Sequence, residues 1–178
     1  MKFLPLLVAA FGLSGCAVSL QPFYSPETIV DNRSIEGRWT DGETTWVVTR
    51  KAPGRFEIAT CDEDGCQADT VAVLFRTAGA TFLDYREKSP GHFMPSIRPH
   101  GLFEVRLRQG EVDLSPLEGD RLAKLAERRL LDTEFAELES GTLLTASPES
   151  LQRFIVRHLA DGQVFGESHH LWRAAVGE

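Results

Sequence analysis

Most of the chain after Gly37 alternates apolar and polar residues in short runs. The clearest run alternates Phe, Val and Leu with Glu and Arg over residues 103–108. A period of two places the apolar side chains on one face of a strand. Comparable runs predict strands over residues 44–50, 55–61, 71–75, 81–86, 112–114, 142–146 and 171–174. Sequential strands joined by tight turns favour an antiparallel barrel or a strongly curved sheet. If the sheet curls around its apolar face, we expect that wall to include Trp46, Phe56, Val73 and Phe75.

Two segments have helical rather than strand-like spacing. Asp120 can cap a helix that runs toward residues 128–131. Ser147 followed by Pro148 is a helix start signal, and the apolar residues that follow recur on one helical face until Gly162. The predicted fold class is therefore β-rich α+β, with two helices added to the barrel or curved sheet.

The first residues have the layout of a secretory signal. Lys2 precedes an apolar run over residues 3–13, which is shorter than the roughly 20 residues needed to span a bilayer. A positive charge, an apolar core and then small residues are typical of a signal peptide. The alternative, a buried first helix or strand, is disfavoured by Pro5 and Gly12.

The end of this segment, Leu13-Ser14-Gly15-Cys16, resembles the lipobox of bacterial lipoproteins. The resemblance implies that residues 1–15 are removed and that Cys16 receives a thioether-linked diacylglycerol and is then N-acylated. Several acyl chains are needed for stable anchoring, since one chain binds a membrane only marginally.

Two further expectations follow from the lipoprotein resemblance. Ala17 stands where an Asp would favour the inner membrane, so the expected location is the periplasmic face of the outer membrane. Residues 16–34 have no clear period and contain Pro22 and Pro26, which predicts a lipidated tether that is either free or partly packed on the domain. Residues 35–178 are expected to form a single β-rich domain.

Cys61 and Cys66 flank a four-residue loop between two strand-like runs. A hairpin there would set the two cysteines opposite each other, and an oxidising periplasm would preserve a disulfide between them. Free thiols and a metal or redox pair are the alternatives. The spacing is not that of a CxxC redox motif, and no second cysteine pair completes a zinc site.

Gly37-Arg38-Trp39, at the start of the first domain strand, resembles the G-x-W signature of the lipocalins. The resemblance implies that Gly37 permits a close turn, that Trp39 plugs one end of the barrel and that Arg173 packs over its ring. The chain departs from the lipocalin pattern because two helices interrupt its later strands, so we expect a lipocalin-like domain.

Other segments resemble a group of uncharacterised bacterial lipoproteins that share the anchor, a β-rich domain and the late helix. These segments cover residues 36–39, 112–117 and 143–152. The resemblance implies no activity.

The sequence contains no recognisable catalytic or cofactor motif. Its net charge of −7 argues against nucleic-acid binding. His169 and His170 are adjacent and would point to opposite faces of a strand, so no metal site, cofactor or catalytic residue is predicted. The long loop over residues 88–101 could cover a barrel mouth, dock a partner or simply pack across the barrel end.

We therefore expect a lipid-anchored envelope protein without catalysis. Its membrane contact would be the lipid on Cys16, and its binding partner a small apolar ligand or an envelope protein. The alternative is a lipid-anchored envelope enzyme of unrecognised type.

Overall fold

A computed structural model describes residues 17–62, 65–89, 97–138, 141–159 and 162–174. The predicted signal peptide and Cys16 lie outside these residues, as does the central part of the 88–101 loop.

Strands dominate the described chain. They are β1 (Val18–Ser19), β2 (Gly37–Thr40), β3 (Thr45–Ala52), β4 (Arg55–Asp62), β5 (Gly65–Thr77), β6 (Ala80–Glu87), β7 (Gly101–Arg108), β8 (Glu111–Pro116), β9 (Phe135–Leu138), β10 (Gly141–Leu144) and β11 (His169–Arg173). The α-helices are α1 (Gly119–Glu127) and α2 (Pro148–Leu159). Short 3₁₀ turns span Pro26–Thr28 and Arg33–Ile35.

Eight of the strands close into an antiparallel barrel in the order β11-β2-β3-β4-β5-β6-β7-β8. The ring closes because β11 pairs with β8 through His169–Trp172 and with β2 through Trp172 and Arg173. The predicted β-rich fold with a barrel and two helices is confirmed.

A second sheet of three strands, in the order β1-β10-β9, lies beside the barrel. Val18 pairs with Leu143 in parallel, while β9 and β10 form an antiparallel hairpin. The sequence did not predict β9, because four residues are too few to establish a clear period. It predicted that the first helix runs toward residues 128–131. That helix ends at Glu127, and Arg129 has a φ of 58°, which is incompatible with a continuing α-helix.

The apolar residues form two cores, one on each side of the barrel wall. The interior core is centred on Trp39, Phe56, Ala72, Leu74, Leu83, Val105, Val112 and Leu171. The outer core packs the barrel wall against the helices and the N-terminal segment through Phe23, Phe75, Phe82, Leu102, Leu117, Leu122, Phe154 and Ile155.

The positions of Val73 and Phe75 differ from the prediction that they line the interior of the barrel. Ala72 and Leu74 belong to the interior core, so alternation turns Val73 and Phe75 outward. Phe75 is fully buried, but it packs in the outer core, where its ring centroid is 5.4 Å from that of Phe82. The placement of Trp46 and Phe56 on the interior side agrees with the structure.

The segment 17–34, for which we expected a tether, lies against the barrel. Phe23 is fully buried, and Ile29 forms an isolated β-bridge with Phe75. The Val30 amide donates to the Leu74 carbonyl over 3.0 Å. Apolar side chains in this segment therefore cover the outward face of β5, which a freely solvated tether would leave exposed.

The expected disulfide joins Cys61 to Cys66 at the end of the β4–β5 hairpin. The two residues are directly opposite each other, and their Cα atoms are 4.0 Å apart, slightly closer than the usual 4.4–6.8 Å. A loop of this size gives about 2 kcal/mol of stabilisation in the chain-entropy treatment. The main structural effect of the disulfide is to fix the register of the β4–β5 hairpin.

Trp39 and Arg173 form a stacked pair that joins the first and last strands of the barrel. The Trp39 ring is 2% exposed, and the Arg173 Cζ atom is 4.3 Å from its centroid. The indole Nε1–H donates to the Ile35 carbonyl over 2.8 Å. Arg173 also donates to the carbonyls of Glu36 and Ser34, so its charge is held over the ring by two hydrogen bonds.

Gly37 is required by the position of Arg173. Gly37 has a φ of +133°, and a Cβ atom placed on it would overlap the Arg173 guanidinium. Only a glycine gives both the backbone conformation and the space that the stacked pair needs.

We expect Trp39→Ala to lower the free energy of unfolding by about 3–5 kcal/mol, since a fully buried ring is removed. Trp172→Ala is the matched control, because the Trp172 ring is 43% exposed and its loss should cost much less. Urea unfolding followed by far-UV circular dichroism measures both. Equal losses for the two variants would contradict the assignment of Trp39 as the barrel plug.

Candidate functional site: the barrel mouth

One end of the barrel is filled and closed. Ile35, on the 3₁₀ turn Arg33–Ile35, is 3% exposed and packs in the interior core together with Trp39. Beside the β7–β8 turn, the Gly110 carbonyl accepts the Arg173 amide. Several inward side chains toward this end are almost fully buried, among them Phe56, Leu74 and Val112, while Val30 and Leu107 are partly buried. Large side chains therefore occupy this half of the interior.

At the opposite end, the inward side chains of the described residues are less completely buried. There β3 and β7 begin, β6 ends, and the disulfide joins β4 to β5. The inward side chains near this end pack on the interior core but are only partly buried. We call them the barrel mouth: Trp46, Ile58, Tyr85, Phe103 and Leu114.

Two aromatic rings form one wall of the mouth. Tyr85 and Phe103 are stacked, with ring centroids 4.9 Å apart and an interplanar angle of 20°. The Tyr85 ring lies over Gly101, its cross-strand partner, where a Cβ atom would overlap the ring. This close approach lets the ring lie flat along the barrel wall, and the result is a partly exposed apolar surface of fixed shape.

A buried polar cluster lies outside the barrel, between β6 and the N-terminal segment. Asp84 is 2% exposed. Its Oδ1 atom is 2.7 Å from His100 Nδ1, and its Oδ2 atom accepts the Phe23 amide over 2.8 Å. Burial raises the pKa of Asp84, while the hydrogen bond from His100 opposes this shift.

The Asp84–His100 pair has the geometry in which a carboxylate orients a catalytic histidine. The nearby Ser19 hydroxyl, however, donates to the Leu144 carbonyl over 3.3 Å, and the Ser19 backbone pairs with that of His100. These contacts join the N-terminal segment to the barrel. The cluster is therefore best explained as a structural link.

The remaining histidine contacts do not converge on a metal site. His170 Nδ1 is 2.7 Å from Asp113 Oδ1 on the barrel surface, and His158 Nε2 is 3.3 Å from Asp132 Oδ1. His169 lies opposite Leu114. Within the described ranges, no three His, Cys, Asp or Glu side chains are grouped so that they could hold a metal ion.

The surface beside α2 forms a polar cleft of about 280 Å³. It is lined by both basic and acidic side chains, including Arg153, Arg157, Asp132 and Glu134. Arg157 is already ion-paired with Asp132. Because two basic and two acidic side chains line it, the cleft has no net charge that would favour a charged ligand.

The Trp39–Arg173 pair and the two cysteines were predicted from the sequence, whereas the contact between Asp84 and His100 was not. A carboxylate between Leu83 and Tyr85 in an apolar strand was the available signal. Its partner His100 could not be predicted, because the length of the loop before β7 does not determine which residue lies beside Asp84.

No helix of the described chain is long and apolar enough to cross a membrane. No protein-family model, curated protein or solved structure matches this chain. The architecture itself is consistent with a lipocalin-like fold, since eight antiparallel strands close around a plugged apolar interior.

The raised pKa of Asp84 makes a prediction about stability and pH. A carboxyl whose pKa is higher in the folded state stabilises the protein fully below its unfolded pKa of about 3.9, and this contribution is lost as the pH rises through the folded pKa. Relative to Asp84→Asn, the wild type should therefore lose stability as the pH rises above about 4. Urea unfolding of both proteins across this range measures the difference.

Asp31 supplies a control of opposite sign. The side-chain hydrogen bond from Arg50 lowers its pKa to about 2. The wild type should therefore lose stability relative to Asp31→Asn as the pH falls from about 4 toward 2. A stability difference for Asp84→Asn that is constant with pH would contradict the raised pKa.

Proposed function

We propose that this chain is a noncatalytic, lipid-anchored envelope protein that binds an apolar group at the barrel mouth. Its location would be the periplasmic face of the outer membrane, with the anchor on Cys16. The observation that carries the binding proposal is the mouth itself, where five inward apolar side chains remain partly exposed above a filled interior.

The filled interior limits what such a mouth can accept. Trp39 and Phe56 are each 2% exposed and occupy the space in which a deep ligand would lie. A small barrel can be filled completely by its own side chains. The ligand best suited to the mouth is therefore short, such as the end of an acyl chain or a bulky apolar side chain of an envelope partner.

The anchor proposal rests on the lipobox, and the disulfide supports the compartment. A bridge between Cys61 and Cys66 persists in an oxidising environment and is rare in the bacterial cytosol. This agrees with export across the inner membrane, after which Cys16 would be the remaining cysteine and the site of lipid attachment.

The anchor is tested by metabolic labelling with an alkyne-tagged palmitate. We expect the wild type to be labelled and Cys16→Ser to be unlabelled, because the thiol that carries the lipid is lost. A double variant, Cys61→Ser with Cys66→Ser, should keep the label and controls for the general loss of thiols. Equal labelling of the wild type and Cys16→Ser would refute the anchor.

Binding is tested by titrating the full chain with a fluorescent fatty acid. We expect saturable binding that Phe103→Ser weakens, since this ring forms part of the mouth. Arg106→Ser is the control on the same strand, because its side chain is 62% exposed and lies on the outward face. Far-UV circular dichroism checks that both variants are folded.

Two results would count against the mouth as a ligand site. Equal weakening by Phe103→Ser and Arg106→Ser would place the binding elsewhere. No saturable binding by the folded wild type would exclude a fatty-acid ligand and favour a protein partner.

A further inference from the structure

We infer that the lipid anchor is joined to the folded domain without a tether, so that the β7–β8 side of the barrel is held against the bilayer. This inference rests on the proposed lipidation of Cys16. The residue after that cysteine is already part of the fold: Ala17 is 1% exposed, and its amide donates to the Leu117 carbonyl over 3.1 Å.

Without a tether, the distance between the lipid and the folded domain is several times shorter. A flexible segment spanning residues 17–34 would give a root-mean-square separation of roughly 21–25 Å between lipid and domain. Cys16 is instead one peptide bond from Ala17, which places consecutive Cα atoms about 3.8 Å apart. Because Ala17 is fixed in the fold, the domain can rotate relative to the lipid only about the few bonds of that short connection.

The position of Ala17 identifies the side that meets the membrane. Ser19 forms an isolated bridge with His100, just before β7, and Leu117 directly follows β8. In a closed ring of eight strands, β3 lies four places from β7 and is therefore on the opposite wall. Both contacts lie where β7 begins and β8 ends, at the mouth end of the barrel. The anchor thus holds this end of the β7–β8 wall toward the bilayer and the β3–β4 wall away from it.

The three-stranded sheet supplies an exposed residue near the anchor. Val18 pairs with Leu143, so Ala17 and Thr142 precede this pair at the same end of two parallel strands. Gly141, which begins β10 at that end, lies opposite Leu138 of β9. Two strand spacings amount to about 10 Å, which places the 38% exposed Leu138 side chain close to the point of attachment.

The partner proposed for this face is the anchoring bilayer, and the covalent anchor sets the orientation. Glu137 is exposed on β9 and carries a charge that anionic headgroups would repel. Because the covalent connection, rather than charge, sets the orientation, the orientation should persist at high salt. The wall with β3 and β4 would then be free to meet a partner in the periplasm.

The orientation is measured with the full-length lipidated protein in vesicles of phosphatidylethanolamine and phosphatidylglycerol that contain a nitroxide-labelled lipid. The small fluorophore bimane is attached either to Leu138→Cys or to Thr49→Cys, with the native disulfide kept oxidised. Thr49 is exposed on β3 and serves as the matched site on the opposite wall. We expect quenching to be several-fold stronger at position 138 than at position 49, in both low and high salt.

A spacer variant tests whether direct attachment causes the difference. Twelve Gly and Ser residues inserted between Cys16 and Ala17 add a flexible reach of roughly 17–21 Å. We expect the quenching at the two positions to become similar, because the domain can then rotate away from the surface.

The outcomes separate this inference from the proposed anchor. Mass spectrometry first shows whether the purified chain carries acyl groups, and their absence overturns both. An acylated chain with equal quenching at both positions, or with stronger quenching at position 49, overturns the orientation alone. An unchanged difference in the spacer variant overturns direct attachment as its cause.

Discussion

The barrel depends on the contact that joins its last strand to its first. Residues 117–168 separate β8 from β11 and contain both helices and the β9–β10 hairpin, so the chain must return over a long path before the ring can close. Arg173 stabilises this return by stacking on Trp39 and by donating to the carbonyls of Ser34 and Glu36. A planar guanidinium can make both contacts at once, whereas a lysine would supply only a point charge.

Local patterns predicted the elements that have one buried face. β7 alternates cleanly because Val105 faces the interior and Arg106 faces solvent. On β5 the residues from Ala72 to Phe75 are all buried, because the interior core covers one face and the outer core covers the other. A strand that is buried on both faces has no alternation, so the sequence could not assign Val73 and Phe75 to a side.

Long-range pairing explains the other differences. Val18 and Ser19 form a strand only because β10 returns beside them, and no period can develop in two residues. The Asp84–His100 contact likewise depends on the approach of two strands. By contrast, the cysteine spacing and the G-x-W motif were informative because each concerns a short segment or a well-known packing arrangement.

The two sides of the barrel wall have different structural roles, because one faces the interior core and the other faces the outer core. The interior core fills the barrel around Trp39 and leaves the aromatic and aliphatic side chains of the mouth partly exposed. The outer core includes Ala17 and Phe23 and fastens the N-terminal segment to the wall, with Asp84 accepting the Phe23 amide. Since a buried carboxylate is costly unless it is hydrogen-bonded, a displaced segment would leave Asp84 with one fewer partner. The energetic preference for an attached segment therefore also keeps Ala17, the residue after the proposed lipidation site, in a fixed position on the domain.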